Sequence, residues 1–181
     1  VVCASRTLHE GDHRLQAGSL ETTVAQIKGA GGQAAAVQCN VGDEADCQRL
    51  VAEAKRLFGP TDILVNNAMM SYLDPIVALA PKRWDVGFAV NIRGPFLLSH
   101  FVLPDMIARR RGAIVNISSG AATGPGRGPY KGLRGAHPTA NAWLLAGSGG
   151  ASQILRAPTA PPAPPGPDRS VRSGQTVYFS A

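Results

Sequence analysis

The chain has 181 residues, 44% of them hydrophobic, which suits one globular domain with a buried core. Its formal charge of +6 is uneven: residues 1–130 hold 13 Lys and Arg against 11 Asp and Glu, residues 131–181 hold 5 against 1, so the first part is near neutral and a nucleic-acid partner is excluded there. Cys3, Cys39 and Cys47 lack metal-ligand spacing and no apolar run approaches a membrane span, leaving a cytoplasmic protein with reduced thiols as the expectation.

The first residue is Val1, already inside an apolar strand, Val1–Ser5, which suggests a segment of something longer. Arg6 and Thr7 follow it, then a polar loop over 8–18 in which His9 and His13 face solvent. Leu20, Val24 and Ile27 have helical spacing, predicting a helix over Leu20–Ala30 that stops at Gly31-Gly32. Gln33–Cys39 reads as a second strand and closes on Asn40-Val41. Asp43 caps the next helix, with Asp46 in its first turn, and Leu50, Val51, Ala54, Leu57 and Phe58 form its core face before Gly59-Pro60 ends it.

Ile63, Leu64 and Val65 form a short continuous apolar run, as in a parallel strand covered on both faces. The run ends abruptly at Asn66, Asn67 and Ala68. In an open α/β sheet ligands sit outside the carboxyl ends of the strands, so these amides stand where a ligand would bind; the alternative is a plain strand-ending turn. Residues 70–79 form a loop with Tyr72 and Leu73 as apolar candidates. Pro81 opens a long helix reaching residue 110, with Trp84, Phe88, Ile92 and Phe96 along one side. Pro95 has no N–H, so the carbonyl of Asn91 loses its helical partner and the helix should kink. A second strand, Ala113–Ile117, delivers Ser118 and Ser119 to its carboxyl end. Tyr130 follows in a Gly- and Arg-rich stretch, with Arg134 four residues later. Beyond it the pattern fades: residues 157–167 contain six prolines, and 131–181 reads as a low-complexity Gly/Pro-rich, disordered tail whose Pro-Pro-Ala-Pro-Pro has the form of a polyproline ligand.

Asp-Ile-Leu-Val-Asn-Asn-Ala at 62–68 followed by Ile-Val-Asn-Ile-Ser-Ser at 114–119 resembles the short-chain dehydrogenase/reductase family, over about residues 1–130. The resemblance implies an α/β, Rossmann-like doubly wound parallel sheet, incomplete because the first strand with its glycine-rich turn and the C-terminal strands are absent. Residues 1–130 would be a partial NAD(P)-binding domain. The implied cofactor residues are Arg6, Asn40, Val41, Asn66, Asn67 and Ala68. No acid occupies Ser5, Arg6 or Thr7, and an arginine there suits a 2′-phosphate, so NADP is expected rather than NAD; an ordinary solvated arginine is the alternative. By the same resemblance Ser119 hydrogen-bonds the reacting oxygen, Asn91 holds a water on its backbone carbonyl, and Tyr130 is the candidate acid/base, or else a pocket-loop tyrosine. The chain departs from the pattern in having Asn40 for an Asp, Met69 for a Gly and Arg134 for the lysine that normally accompanies the tyrosine.

The implied activity is hydride transfer between NADP(H) and a small carbonyl or secondary alcohol, with no metal, nucleic acid or membrane, and with helix 81–110 as a surface for homo-oligomers. Because parts of the family pattern are missing, a non-catalytic interaction protein and a truncated, inactive derivative stand beside that reading.

Overall fold

The structure, a computed structural model, describes residues 1–12, 18–72 and 77–117 and the backbone of 152–156. Strand β1 (Val2–Ser5) pairs in parallel with β2 (Ala35–Gln38), Val2 opposite Ala35. Parallel neighbours need a crossover, and helix α1 (Leu20–Gly29) supplies it. Ser19 starts α1 by accepting the Thr22 N–H at 3.1 Å. Gly31, at φ +83°, ends it, and the Gly32 N–H returns to the Ile27 carbonyl at 2.9 Å. Leu20 and Val24 pack with Cys3 and Ala34 and so cover one face of the strand pair.

The other face is covered by α2 (Glu44–Phe58) and the long helix, through Val37, Cys39, Cys47, Leu50, Leu97 and Leu98. Asp43 caps α2 as expected, accepting the Asp46 N–H at 3.0 Å. The predicted core face of α2 holds at Leu50 but fails at its end, since Leu57 and Phe58 are 38% and 45% exposed. That last turn borders an open groove, and fully buried Cys47 does the packing instead.

Strand β3 (Ile63–Asn66) pairs in parallel with β4 (Ala113–Ile117), and β5 (Ser152–Arg156) joins the far edge of β4 antiparallel. Among the described residues the strands thus form two sheets, β1–β2 and β3–β4–β5, in keeping with the incomplete doubly wound sheet that the sequence predicts. Among the described residues no strand bridges β1 and β3. β5 also lies in the stretch read as a featureless tail. Its Ile154-Leu155 centre is too short a signal to stand out between glycines and prolines, but the open edge of β4 gives it a partner.

The helical stretch Pro81–Arg109 is interrupted as Pro95 predicts, but by a π-turn rather than a plain kink. Helix α3 (Pro81–Phe88) passes into the π-turn Ala89–Arg93 and then α4 (Gly94–Arg109). The Gly94 N–H reaches back five residues to the Ala89 carbonyl, placing Pro95, which has no N–H to give, in the first turn of a fresh helix. The extra residue shifts the phase, so the predicted side Trp84–Phe88–Ile92–Phe96 is not the core face: Phe88 and Phe96 are 36% and 54% exposed, while Val90, Leu97, Leu98, Val102 and Met106 are buried. Contrary to the sequence expectation, Pro81–Arg109 is long and apolar enough by composition to cross a membrane; half of its most apolar window is buried within the fold. All three cysteines are free and buried.

Candidate cofactor site

The carboxyl ends of β3 and β4 carry matched amides. Asn66 and Asn116 are register partners, both buried, and Asn66 Nδ2 donates to Asn116 Oδ1 at 2.8 Å. Each strand holds a short apolar run followed by an asparagine near its carboxyl end, so one sequence pattern written twice places two amides on one rim. Asn67 and Ala68 follow, and both line a cavity of about 430 Å³ together with Val41 and Pro95.

Asn91, on the π-turn, is 2% exposed. Its Nδ2 donates to the Met70 carbonyl at 2.7 Å and its Oδ1 accepts the Met70 N–H at 2.8 Å. One side chain thereby fixes both backbone groups of a residue just past the β3 rim. Met69, where a small residue was expected, turns outward and is 69% exposed.

The π-turn is also tied to the loop after β2. A Cβ on Gly94 would lie 2.8 Å from the Val41 carbonyl oxygen, and one on Gly42 would lie 3.3 Å from the Ala89 Cβ, so both glycines permit a close approach. Arg93 adds an ion pair to Glu44 at 2.5 Å. Cys47 Sγ donates to the Val41 carbonyl at 3.3 Å. The Cys39 thiol is pushed up by its hydrogen bond with Cys47 and then by burial, so it stays protonated beneath this loop.

At the ends of β1 and β2, Arg6, Gln38 and Asn40 are exposed. Asn40 is exposed; its N–H donates to Asp46 Oδ2 at 2.8 Å and its Oδ1 accepts the Gly42 N–H at 3.2 Å. Arg49 beside Asp46, and secondly the Asn40 N–H, hold the Asp46 carboxyl below its ordinary value. The Arg6 carbonyl accepts from Gln38 Nε2 at 2.9 Å, while its exposed guanidinium has no carboxylate partner among the described residues.

Of the residues expected at the site, Val41, Asn66, Asn67 and Ala68 line one cavity; Asn91 clamps the loop beside it; Arg6 and Asn40 sit at the β1 and β2 ends, off the cavity wall. Ser119 and Tyr130 lie outside the described residues. Reading the sequence missed Asn116, Gly94 and Met70. Asn116 was signalled by its place in the second apolar run, and Gly94 by a helical glycine before proline; nothing in the residue type of Met70 marks it.

The short chain dehydrogenase family profile matches residues 5–132. A short chain dehydrogenase of Pseudocercospora fijiensis is 38% identical over 109 residues, 59% of this chain and 35% of that protein. The human dehydrogenase/reductase SDR family member 4 is 36% identical over 115 residues, 62% of this chain and 41% of its own length. A metagenomic short-chain oxidoreductase solved in complex with NADP superimposes with a TM-score of 0.65 at 31% identity, covering 80% of this chain and 59% of that one. The chain thus spans less than half the length of these two curated relatives. A pair of parallel strands with asparagines in register near their carboxyl ends, a π-turn locked to the β2 loop and a match over most of the chain lead to one assignment: the chain belongs to the short-chain dehydrogenase family.

Proposed function

We propose that the chain carries the nucleotide-binding rim and part of the active site of an oxidoreductase that moves hydride between NADP(H) and a small carbonyl or secondary alcohol. The observation that carries this reading is the rim itself: Asn66 and Asn116 in register at the carboxyl ends of parallel strands, where α/β folds bind ligands. The residues present fit NADP. Arg6 offers a planar guanidinium that no carboxylate among the described residues occupies, and a 2′-phosphate matches its fork. Asn40 can meet the exocyclic amine of adenine through its carbonyl, and Val41 its ring. Asn67 and Ala68 border the cavity, and the loop beyond them is held by Asn91.

The chemistry supplied when NADPH is bound is a hydride to the carbonyl carbon. Ser119 hydrogen-bonds the reacting oxygen, and Tyr130 gives it the proton that completes the alcohol. A water on the backbone carbonyl of Asn91 replenishes that proton. Arg134 favours the tyrosinate by its charge and relays no proton. Three free thiols suit the cytoplasm, and the exposed stripe Phe96, Leu103 and Ile107 on α4 suits a helix-mediated homo-oligomer. Titration of the purified chain with NADPH, read by fluorescence enhancement and thermal shift, tests the reading. A saturable response stronger than that to NADH supports it; no saturable response overturns it.

A further inference from the structure

Cys39 and Cys47 take no part in the chemistry proposed above, yet the fold brings them together. Cys39 follows β2, its N–H donating to the Ser5 carbonyl at 2.8 Å, and Cys47 lies in the first turn of α2. Between them the chain doubles back. The Asn40 N–H donates to Asp46 Oδ2 at 2.8 Å, the Asp43 N–H to the Asn40 carbonyl at 2.9 Å and the Cys47 N–H to the Asp43 carbonyl at 3.1 Å. These bonds set both cysteines in one apolar cluster with Val37, Leu50, Leu97 and Leu98. The two thiols are hydrogen-bonded in series: Cys39 donates to Cys47 Sγ, and Cys47 Sγ donates to the Val41 carbonyl at 3.3 Å. Cys3 is the contrast, buried in the cluster of Leu20, Val24 and Ala34, which holds neither of the others.

The pair is polarised. The bond from Cys39 favours the Cys47 thiolate and Arg93 aids it, against burial and the carboxylates of Asp43 and Asp46. Cys47 is thus the nucleophile of the pair and Cys39 the thiol that follows it. Both sulfurs are buried, but the loop above them carries exposed Asn40, Asp43 and Glu44. A helix opens at its end turn more readily than at its centre, which lets a small oxidant in without unfolding the domain.

We propose that Cys39 and Cys47 form a redox site: a hydroperoxide joins them in a reversible disulfide, which releases the Val41 carbonyl and loosens the loop carrying Asn40 and Val41. The Cys47 thiolate attacks the O–O bond and takes one oxygen as a sulfenic acid, while the other oxygen leaves as water or alcohol. The Cys39 sulfur then attacks Cys47 Sγ; the S–S bond forms, the S–O bond breaks and water leaves. Two electrons and both thiol protons have passed to the peroxide, and a dithiol reverses the change. A disulfide sulfur carries no hydrogen, so the Val41 carbonyl loses its donor. The consequence for nucleotide binding rests on reading this loop as the adenine side of an NADP site; the disulfide itself does not.

The test treats the folded chain with hydrogen peroxide, blocks the remaining thiols with iodoacetamide in guanidinium and digests with trypsin. No Lys or Arg lies between Cys39 and Cys47, so both fall in the peptide 29–49, while Cys3 falls in the peptide 1–6. The expected result is a 29–49 peptide lighter by two hydrogens and closed to iodoacetamide, a fully alkylated Cys3, and reversal by dithiothreitol. NADPH then binds the oxidised chain at least about threefold more weakly than the reduced one, as loss of one hydrogen bond implies, and Cys39→Ser removes the difference. An alkylated 29–49 peptide after peroxide overturns the proposal. So does equal oxidation of Cys3, or a bond that links two copies of the chain. A disulfide that leaves NADPH affinity unchanged overturns the loosening of the loop. A chain that binds NADPH in neither state fails the cofactor reading alone, because the mass of the 29–49 peptide still decides the disulfide.

Discussion

The two ends of the rim are built differently. At the β3–β4 end the amides are buried and engaged: Asn66 with Asn116, and Asn91 with both backbone groups of Met70. At the β1–β2 end Arg6 and Asn40 are exposed and bonded locally, to Gln38, Gly42 and Asp46. The first end is preorganised and contributes to stability; the second leaves its side chains available for a ligand and contributes little to the fold. Substitutions should therefore separate stability from binding according to the end they touch.

The largest expected effect is at Asn91. Asn91→Ala removes the two side-chain hydrogen bonds to the Met70 N–H and C=O, at about 0.5–1.5 kcal/mol for each of these part-buried bonds. A lowered Tm with faster exchange at the Met70 amide is the outcome to look for. An unchanged Tm would mean that the clamp does not hold the loop. The Asn66–Asn116 pair is next: either single change to Leu costs about 1–3 kcal/mol, whereas the double change recovers most of it because both polar groups go together. A denaturant-based double-mutant cycle with strictly additive costs would contradict the pairing. Gly94→Ala pushes a Cβ against the Val41 carbonyl and costs about 1–3 kcal/mol by overpacking; it should also weaken NADPH by displacing the β2 loop.

At the exposed end the order reverses. Arg6→Ala leaves Tm unchanged and removes charge-assisted hydrogen bonds worth about 1.5–3 kcal/mol, a loss of roughly tenfold or more in NADPH affinity with NADH unaffected. Equal loss for both nucleotides would sink the 2′-phosphate assignment. The smallest effect is acid sensitivity. The Asp46 carboxyl is held below its ordinary value by Arg49, so its contribution is present above about pH 4 and fades as pH falls through the lowered value. The Asn40 amide, bonded to Asp46, should exchange faster below that point, and Asp46→Asn should abolish the dependence.

This contrast also explains what the sequence made legible. Local signals settled the elements: Asp43 as a cap, Gly31 as a stop, and two apolar runs as parallel strands. Pro95 announced a break in the long helix, yet only the packing of Gly94 on Val41 reveals a π-turn and the resulting shift of the core face, which is why Phe96 is exposed and Leu97 buried. The candidate site residues stood out in the sequence as residue types at strand ends. Their division of labour did not, because whether an asparagine is spent on the fold or left for a ligand depends on contacts such as Asn91 with Met70, 21 residues apart. β5 was illegible for the same reason: its pairing depends on a free edge about 40 residues back in the chain, not on its own pattern.

The most direct measurement is amide hydrogen exchange of the whole chain with and without NADPH. The account predicts protection in two separate segments, Ser5 to Thr7 with Asn40 to Gly42 at one end, and Asn67 to Met70 at the other, the first lost in Arg6→Ala and the second retained. Saturating NADPH with no change in either segment, or protection confined to surfaces away from the carboxyl ends of the strands, would contradict it.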